Sequence, residues 1–163
     1  MIRIIDMIKI LGFMGLIPFI ALPIMAYLAQ DSSPPFAGYH ALVAIHLMYV
    51  FLIYSAIIAV FMAGAIWGRT VEQPSPRWVP LLFSNVLALF VLFLALFVTD
   101  SALLLIAGLI LAHCMNLLFE PFCSPQEDKR LQDDKTSYLK LRTILTTVVI
   151  SSHLAFAFII YSL

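Results

Sequence analysis

Six polar residues stand in the apolar carboxyl-terminal half of the chain, and they are the strongest candidates for chemistry. At about 100° per residue, His113, Asn116 and Glu120 share one face of a helix. Arg142, Thr146 and His153 share one face of a later helix in the same way. Such faces can support an ion pair, a proton relay or a cofactor ligand set. Glu120 and Arg142 lie at similar depth in their two runs, so a direct pair between them is expected, with Asn116 and Thr146 about one turn further in. A proton relay through His113, Glu120 and His153 is physically possible. Haem ligation by His113 and His153 fits less well, because the two differ in depth by roughly one turn and no Cys-x-x-Cys-His attachment motif is present. Zinc held by His113, Cys114 and Cys123 has no recognised ligand spacing. His40 and His46 belong to or border a loop, where bonding to solvent or backbone is the default. Hydrogen bonding between helices, with Glu120 paired to Arg142, is the favoured reading, and no cofactor or metal is expected.

Soluble catalytic motifs are missing. There is no Gly-rich phosphate loop ending in Lys-Ser/Thr, no Gly-x-Ser-x-Gly and no His-Glu-x-x-His. The loops are too short to hold a soluble catalytic site, so the expectation is a protein that is not an enzyme.

The elements that must position these residues follow from composition. Of 163 residues, 63% are hydrophobic and only 11% charged. A soluble domain is about 45–50% apolar and about 25% charged, so lipid is the consistent solvent. The net charge of zero argues against a nucleic-acid partner, which calls for a basic patch. Two cysteines make no disulfide framework, and Cys114, inside an apolar run, reads as a small packing residue.

A bilayer core about 30 Å thick needs about 20 apolar residues. Five stretches qualify, at about Ile10–Ala29, Ala41–Gly68, Trp78–Val98, Ser101–Phe119 and Thr143–Leu163. The expected fold is an all-α polytopic membrane protein, one domain over residues 1–163 and a bundle of about five helices. The second span exceeds one crossing, so it tilts or projects. Asp100 or Ser101 can cap the fourth. The loop about Pro121–Ser137 is a solvated, mixed-charge segment.

All nine Lys and Arg fall on one side of this layout: Arg3, Lys9, Arg69, Arg77, Lys129, Arg130, Lys135, Lys140 and Arg142. The positive-inside rule puts that side, with loops at about 69–77 and 120–142, in the cytoplasm, the amino terminus inside and the carboxyl terminus outside. Trp67, Trp78 and Tyr138 then sit near the inner interface, and Tyr39 and Tyr161 near the outer one. The first run is long for a signal peptide and no small-x-small cleavage site follows it; no Arg- and Ser-rich presequence precedes it either. A bacterial inner membrane is the simplest home.

Two spans carry packing signals. Ser55, Ala59 and Ala63 recur every four residues on span two, and Gly64 and Gly68 form a small-xxx-small pair on an adjacent face. Small residues let helix backbones approach closely, so these faces read first as a helix–helix seam and second as a docking groove. Pro18 and Pro23, with Gly12 and Gly15 nearby, predict a kink in span one.

Three stretches resemble a family of small membrane proteins, domain of unknown function 3429, related to transmembrane protein 69. They are Leu11–Phe19 (with Gly12, Gly15 and Pro18), Tyr54–Gly68 (with Tyr54, Trp67 and Gly68) and Tyr138–Thr146 (with Tyr138, Arg142 and Thr146). The family's usual Gly-Gly before Trp-Gly is Ala63-Gly64 here, and Ile66 replaces the polar residue that often precedes the Trp. The resemblance implies the five-span layout and brings no reaction, cofactor or substrate. The expected role is therefore an accessory, assembly or scaffold subunit, in contact with the lipid bilayer and with a larger membrane complex or its own copies. The alternative is a small transporter or proton-coupled carrier built around Pro18, Pro23, His113 and Glu120, and after it a haem- or quinone-binding subunit.

Overall fold

The computed structural model describes residues 4–30, 37–96, 101–123 and 129–161. Among them every regular element is helical: α1 (Ile4–Met14), α2 (Ile17–Gln30), α3 (Ala37–Val71), α4 (Trp78–Ala95), α5 (Ala102–Phe119), a 3-10 turn (Glu120–Cys123) and α6 (Lys129–Tyr161). Five of the resulting segments are long and apolar enough to cross a membrane: Lys9–Ala29, Leu42–Val71, Trp78–Ala95, Ala102–Phe122 and Tyr138–Tyr161. Their outward residues are largely Leu, Ile, Val and Phe, such as Leu89, Leu92, Ile57 and Phe61. A face of that kind is stable in hydrocarbon and not in water. The chain is an integral membrane protein.

Span one is broken where its first proline acts. A proline ring clashes with the carbonyl four residues earlier, and four before Pro18 is Met14, the last residue of α1. Gly15 and Leu16 form the turn, and Pro18 enters the first turn of α2, where its missing N–H costs little. Pro23 lies inside α2, which continues past it. Span five begins upstream of the expected Thr143, because α6 extends through a stretch rich in good helix formers to Lys129. Much of the segment expected as loop is therefore helix, and Tyr138, Lys140 and Arg142 stand on it. Ser101 is the N-cap of α5, its hydroxyl accepting from Leu104 N–H at 3.2 Å. Asp100 lies outside the described residues, as do the side chains of Tyr39, His40 and Cys123.

The chain forms two compact units, one of Met1–Ser55 with Thr147–Leu163, the other of Ala56–Thr146. In the first, Phe19, Phe51 and Phe156 are almost fully buried. Phe51 stacks on Phe156 at 4.6 Å between ring centroids and meets Phe19 edge-on at 5.7 Å. In the second, α4 and α5 pack closely at Gly108, where an added Cβ would stand 2.3 and 2.7 Å from the Leu94 methyl carbons. Only a residue without a side chain permits that approach.

Candidate functional site

The polar centre of the second unit is built from the ends of α3 and α5 and from Arg142, well inside α6. Pro121 has no N–H to continue α5, so the helix ends at Phe119 with Glu120 as its C-cap, and a 3-10 turn follows. Glu120 is fully buried and sits between two guanidinium groups. Arg69, at the end of α3, pairs with its Oε1, and Arg142 Nη2 lies 3.4 Å from its Oε2. Arg69 also donates from Nε to the Ala65 carbonyl at 3.1 Å and stands over the Tyr138 ring at 5.6 Å, a cation–π distance. The second nitrogen of Arg142, Nη1, rests against the Met62 thioether. One carboxylate thus joins three helices. Two guanidiniums against one carboxylate leave an excess positive charge.

Asn116 lies one helical turn before Glu120 and is also buried. Its Nδ2 donates to the Ala59 carbonyl at 3.0 Å, which fastens α5 to the small-residue face of α3. Asn116 Oδ1 and Arg142 Nε are buried without a hydrogen-bond partner among the described residues. An unpaired polar atom in an apolar interior is costly, so each is a place for a water or an ion. His113 and Thr146 are buried on the same two helices, one turn from Asn116 and from Arg142 respectively.

His153 belongs to the first unit. Its Nδ1 is 2.8 Å from the Val149 carbonyl and its Nε2 is 2.8 Å from Ser55 Oγ. A carbonyl only accepts, so Nδ1 carries the proton; in the neutral ring Nε2 then accepts from the Ser55 hydroxyl. Both nitrogens are occupied, and a haem iron would have to displace one of these bonds. The Phe51 ring, 4.8 Å away, covers the imidazole. At the α1–α2 break in this unit, the Tyr54 hydroxyl donates to the Gly15 carbonyl at 2.9 Å. A Cβ at Gly15 would come 3.3 Å from the Gly12 carbonyl oxygen, so glycine keeps that turn tight.

The structure therefore brings Glu120 and Arg142 together, with Asn116 one turn before Glu120 on α5. On α3, Ser55, Ala59 and Ala63 are buried, whereas Gly64 and Gly68 face open space, with nothing within 4 Å of an added Cβ. Trp67 is likewise exposed. Two participants went unread in the sequence. The sequence presents Arg69 only as a marker of sidedness and Ser55 only as a packing residue. The signal for Arg69 was its position at the same boundary as Glu120. Ser55 offered none, because a serine on a small-residue stripe reads as packing whether or not its hydroxyl has a histidine to meet.

Arg142 and Tyr138 around Glu120, and Gly15, Pro18 and Tyr54 at the α1 break, are the motif positions noted above in their three-dimensional setting. The model of a protein family of unknown function, DUF3429, matches residues 4–158, nearly the whole chain. The chain belongs to the DUF3429 family. No curated protein and no solved structure matches it. Among the described residues of this DUF3429 protein, no group of three or more His, Cys, Asp and Glu side chains is placed to hold a metal ion.

Proposed function

We propose that this DUF3429 protein is a non-enzymatic accessory, assembly or scaffold subunit of a larger membrane complex. In this reading it resides in a bacterial inner membrane, with its amino terminus inside and its carboxyl terminus outside. The observation that carries the reading is how the buried polar side chains are used. Glu120 is held by Arg69 and Arg142, His153 by Ser55 and Val149, and Tyr54 by Gly15. The Glu120, Ser55 and Tyr54 bonds tie separate segments together within each unit, and the Val149 bond holds the His153 ring on its own helix. None of these side chains presents a free nucleophile or base, as a catalytic site would. Purification in a mild detergent, after crosslinking in the membrane, tests the reading: a partner recovered in fixed stoichiometry supports it, and repeated recovery of the chain alone removes it.

A second reading, a small proton-coupled carrier built around Pro18, Pro23, His113 and Glu120, draws on the unpaired Asn116 Oδ1 and Arg142 Nε beside the buried carboxylate. Intramembrane carboxylates and unpaired polar atoms mark proton and ion paths. Proteoliposomes that release a proton gradient with wild-type protein and not with Glu120→Gln would favour it; equal leak in both would end it.

A further inference from the structure

The second unit holds a cavity of about 480 Å³ that neither the ion-paired centre nor the proposed role uses. It is walled by Pro76, Trp78, Pro80, Phe119 and Phe122, with Arg77 also in its lining. Its position is set by the spans: Trp78 begins one membrane-spanning segment and Phe122 ends another, so the cavity opens at a membrane–water boundary. The wall is preformed. Phe119 stacks on Phe83 at 3.6 Å, nearly parallel, and Phe122 leans on Phe119 at 5.9 Å.

We propose that this groove binds an anionic phospholipid, with the phosphate at Arg77 and an acyl chain along Phe119, Phe122 and Pro80. Charge complementarity commits the site to that occupant. The Arg77 guanidinium is exposed and makes no ion pair or hydrogen bond with the described residues. Glu120, the carboxylate next to Phe119 in sequence, is turned inward and neutralised by Arg69 and Arg142, so it does not repel a phosphate. An apolar wall with a cation at the aqueous rim matches a lipid, whose tail and headgroup divide at the same boundary. It does not match a free phosphate, which would leave the aromatic wall unused. Trp78, 71% exposed beside the groove, reports on occupancy.

The test uses the whole chain with Trp67→Phe, which leaves Trp78 as the single tryptophan of the original two. The protein is reconstituted with dibrominated phosphatidylglycerol or dibrominated phosphatidylcholine, whose bromines quench tryptophan on contact. One nearby cation favours an anionic headgroup by about fivefold. The expected result is a preference of that order for phosphatidylglycerol, reduced to parity by Arg77→Gln and retained by Arg77→Lys. Phe122→Ala should weaken quenching by both lipids. Equal quenching by the two lipids in the Trp67→Phe protein overturns the proposal. A preference unchanged in Arg77→Gln also overturns it, since the selectivity would then arise elsewhere.

Discussion

Glu120→Gln tests whether one carboxylate at the end of α5 holds α3 and α6 to it. The substitution keeps the shape and an acceptor oxygen and removes the charge that two guanidiniums share. At 3.4 Å, the attraction between Glu120 and Arg142 is about 5 kcal/mol for an effective dielectric constant near 20. Most of it offsets the desolvation of both groups, but removing one partner leaves the other charge buried, and that costs about 3–5 kcal/mol. Arg69 has a side chain 35% exposed, so water screens its pair, which contributes about 1 kcal/mol or less. A definite order follows. Glu120→Gln is the most damaging change because it strands both guanidiniums. Arg142→Gln comes next. Arg69→Gln costs least, since it leaves a balanced Glu120–Arg142 pair. Reversible unfolding in mixed micelles of a mild detergent and dodecyl sulfate, followed by circular dichroism, measures all three. The Glu120→Gln/Arg142→Gln double variant should lose at least about 1 kcal/mol less than the two single losses added together. Replacing Arg69, Glu120 and Arg142 together by Met, Leu and Met should recover much of the stability, because no buried charge is then left unpaired. A Glu120→Gln protein within about 0.5 kcal/mol of wild type, or strictly additive losses, would refute the reasoning.

Four further outcomes are expected. Ser55→Ala removes the hydroxyl facing His153 Nε2 at 2.8 Å, and should cost about 0.6–1.7 kcal/mol in the same unfolding assay; nitrogen NMR of the wild-type ring should show the proton on Nδ1. Gly108→Ala drives a Cβ into the Leu94 methyl groups, which are themselves buried, and should cost about 1–3 kcal/mol, partly restored by Leu94→Ala. Gly64→Ala and Gly68→Ala meet nothing and should stay within about 0.5 kcal/mol, so any loss of a copurifying partner in them would locate a contact on that face. Cysteines placed at Ser75 and Tyr161 should react with impermeant maleimide from opposite sides of the membrane; labelling of both from one side would overturn the proposed orientation.

The number of spans was legible because hydrocarbon thickness is a ruler. Apolar runs of about 20 residues, separated by Gln-Pro-Ser-Pro and by the segment around Asp100, leave little freedom in where helices cross. Depth along each helix is legible for the same reason, and it puts Glu120 and Arg142 at one level. Rotation about each helix axis was not. Ser55, Ala59 and Ala63 present one small-residue face and Gly64 with Gly68 another, and nothing in the spacing says which has a neighbour. In the structure the first is buried and the second open. The two prolines of span one show a similar limit. Both remove a donor, yet only the ring at Pro18 ends a helix, while that at Pro23 is absorbed.

The overlooked arginine follows from a constraint that the sequence does display. Positive charge is costly in hydrocarbon, and the five-span reading of the sequence accordingly puts all nine basic residues at one boundary. A carboxylate at the end of α5 reaches that boundary as well, and any acid there is surrounded by cations whatever the detailed packing. Which cations turn inward is decided by local geometry. Arg69 is held by the Ala65 carbonyl and the Tyr138 ring, and Arg142 by Met62. Arg77, on the connection between α3 and α4, has no such tether among the described residues and stays at the surface. Among the described basic residues, packing thus separates Arg69 and Arg142, which lock helices together, from Arg77 and Lys140, which stay at the surface.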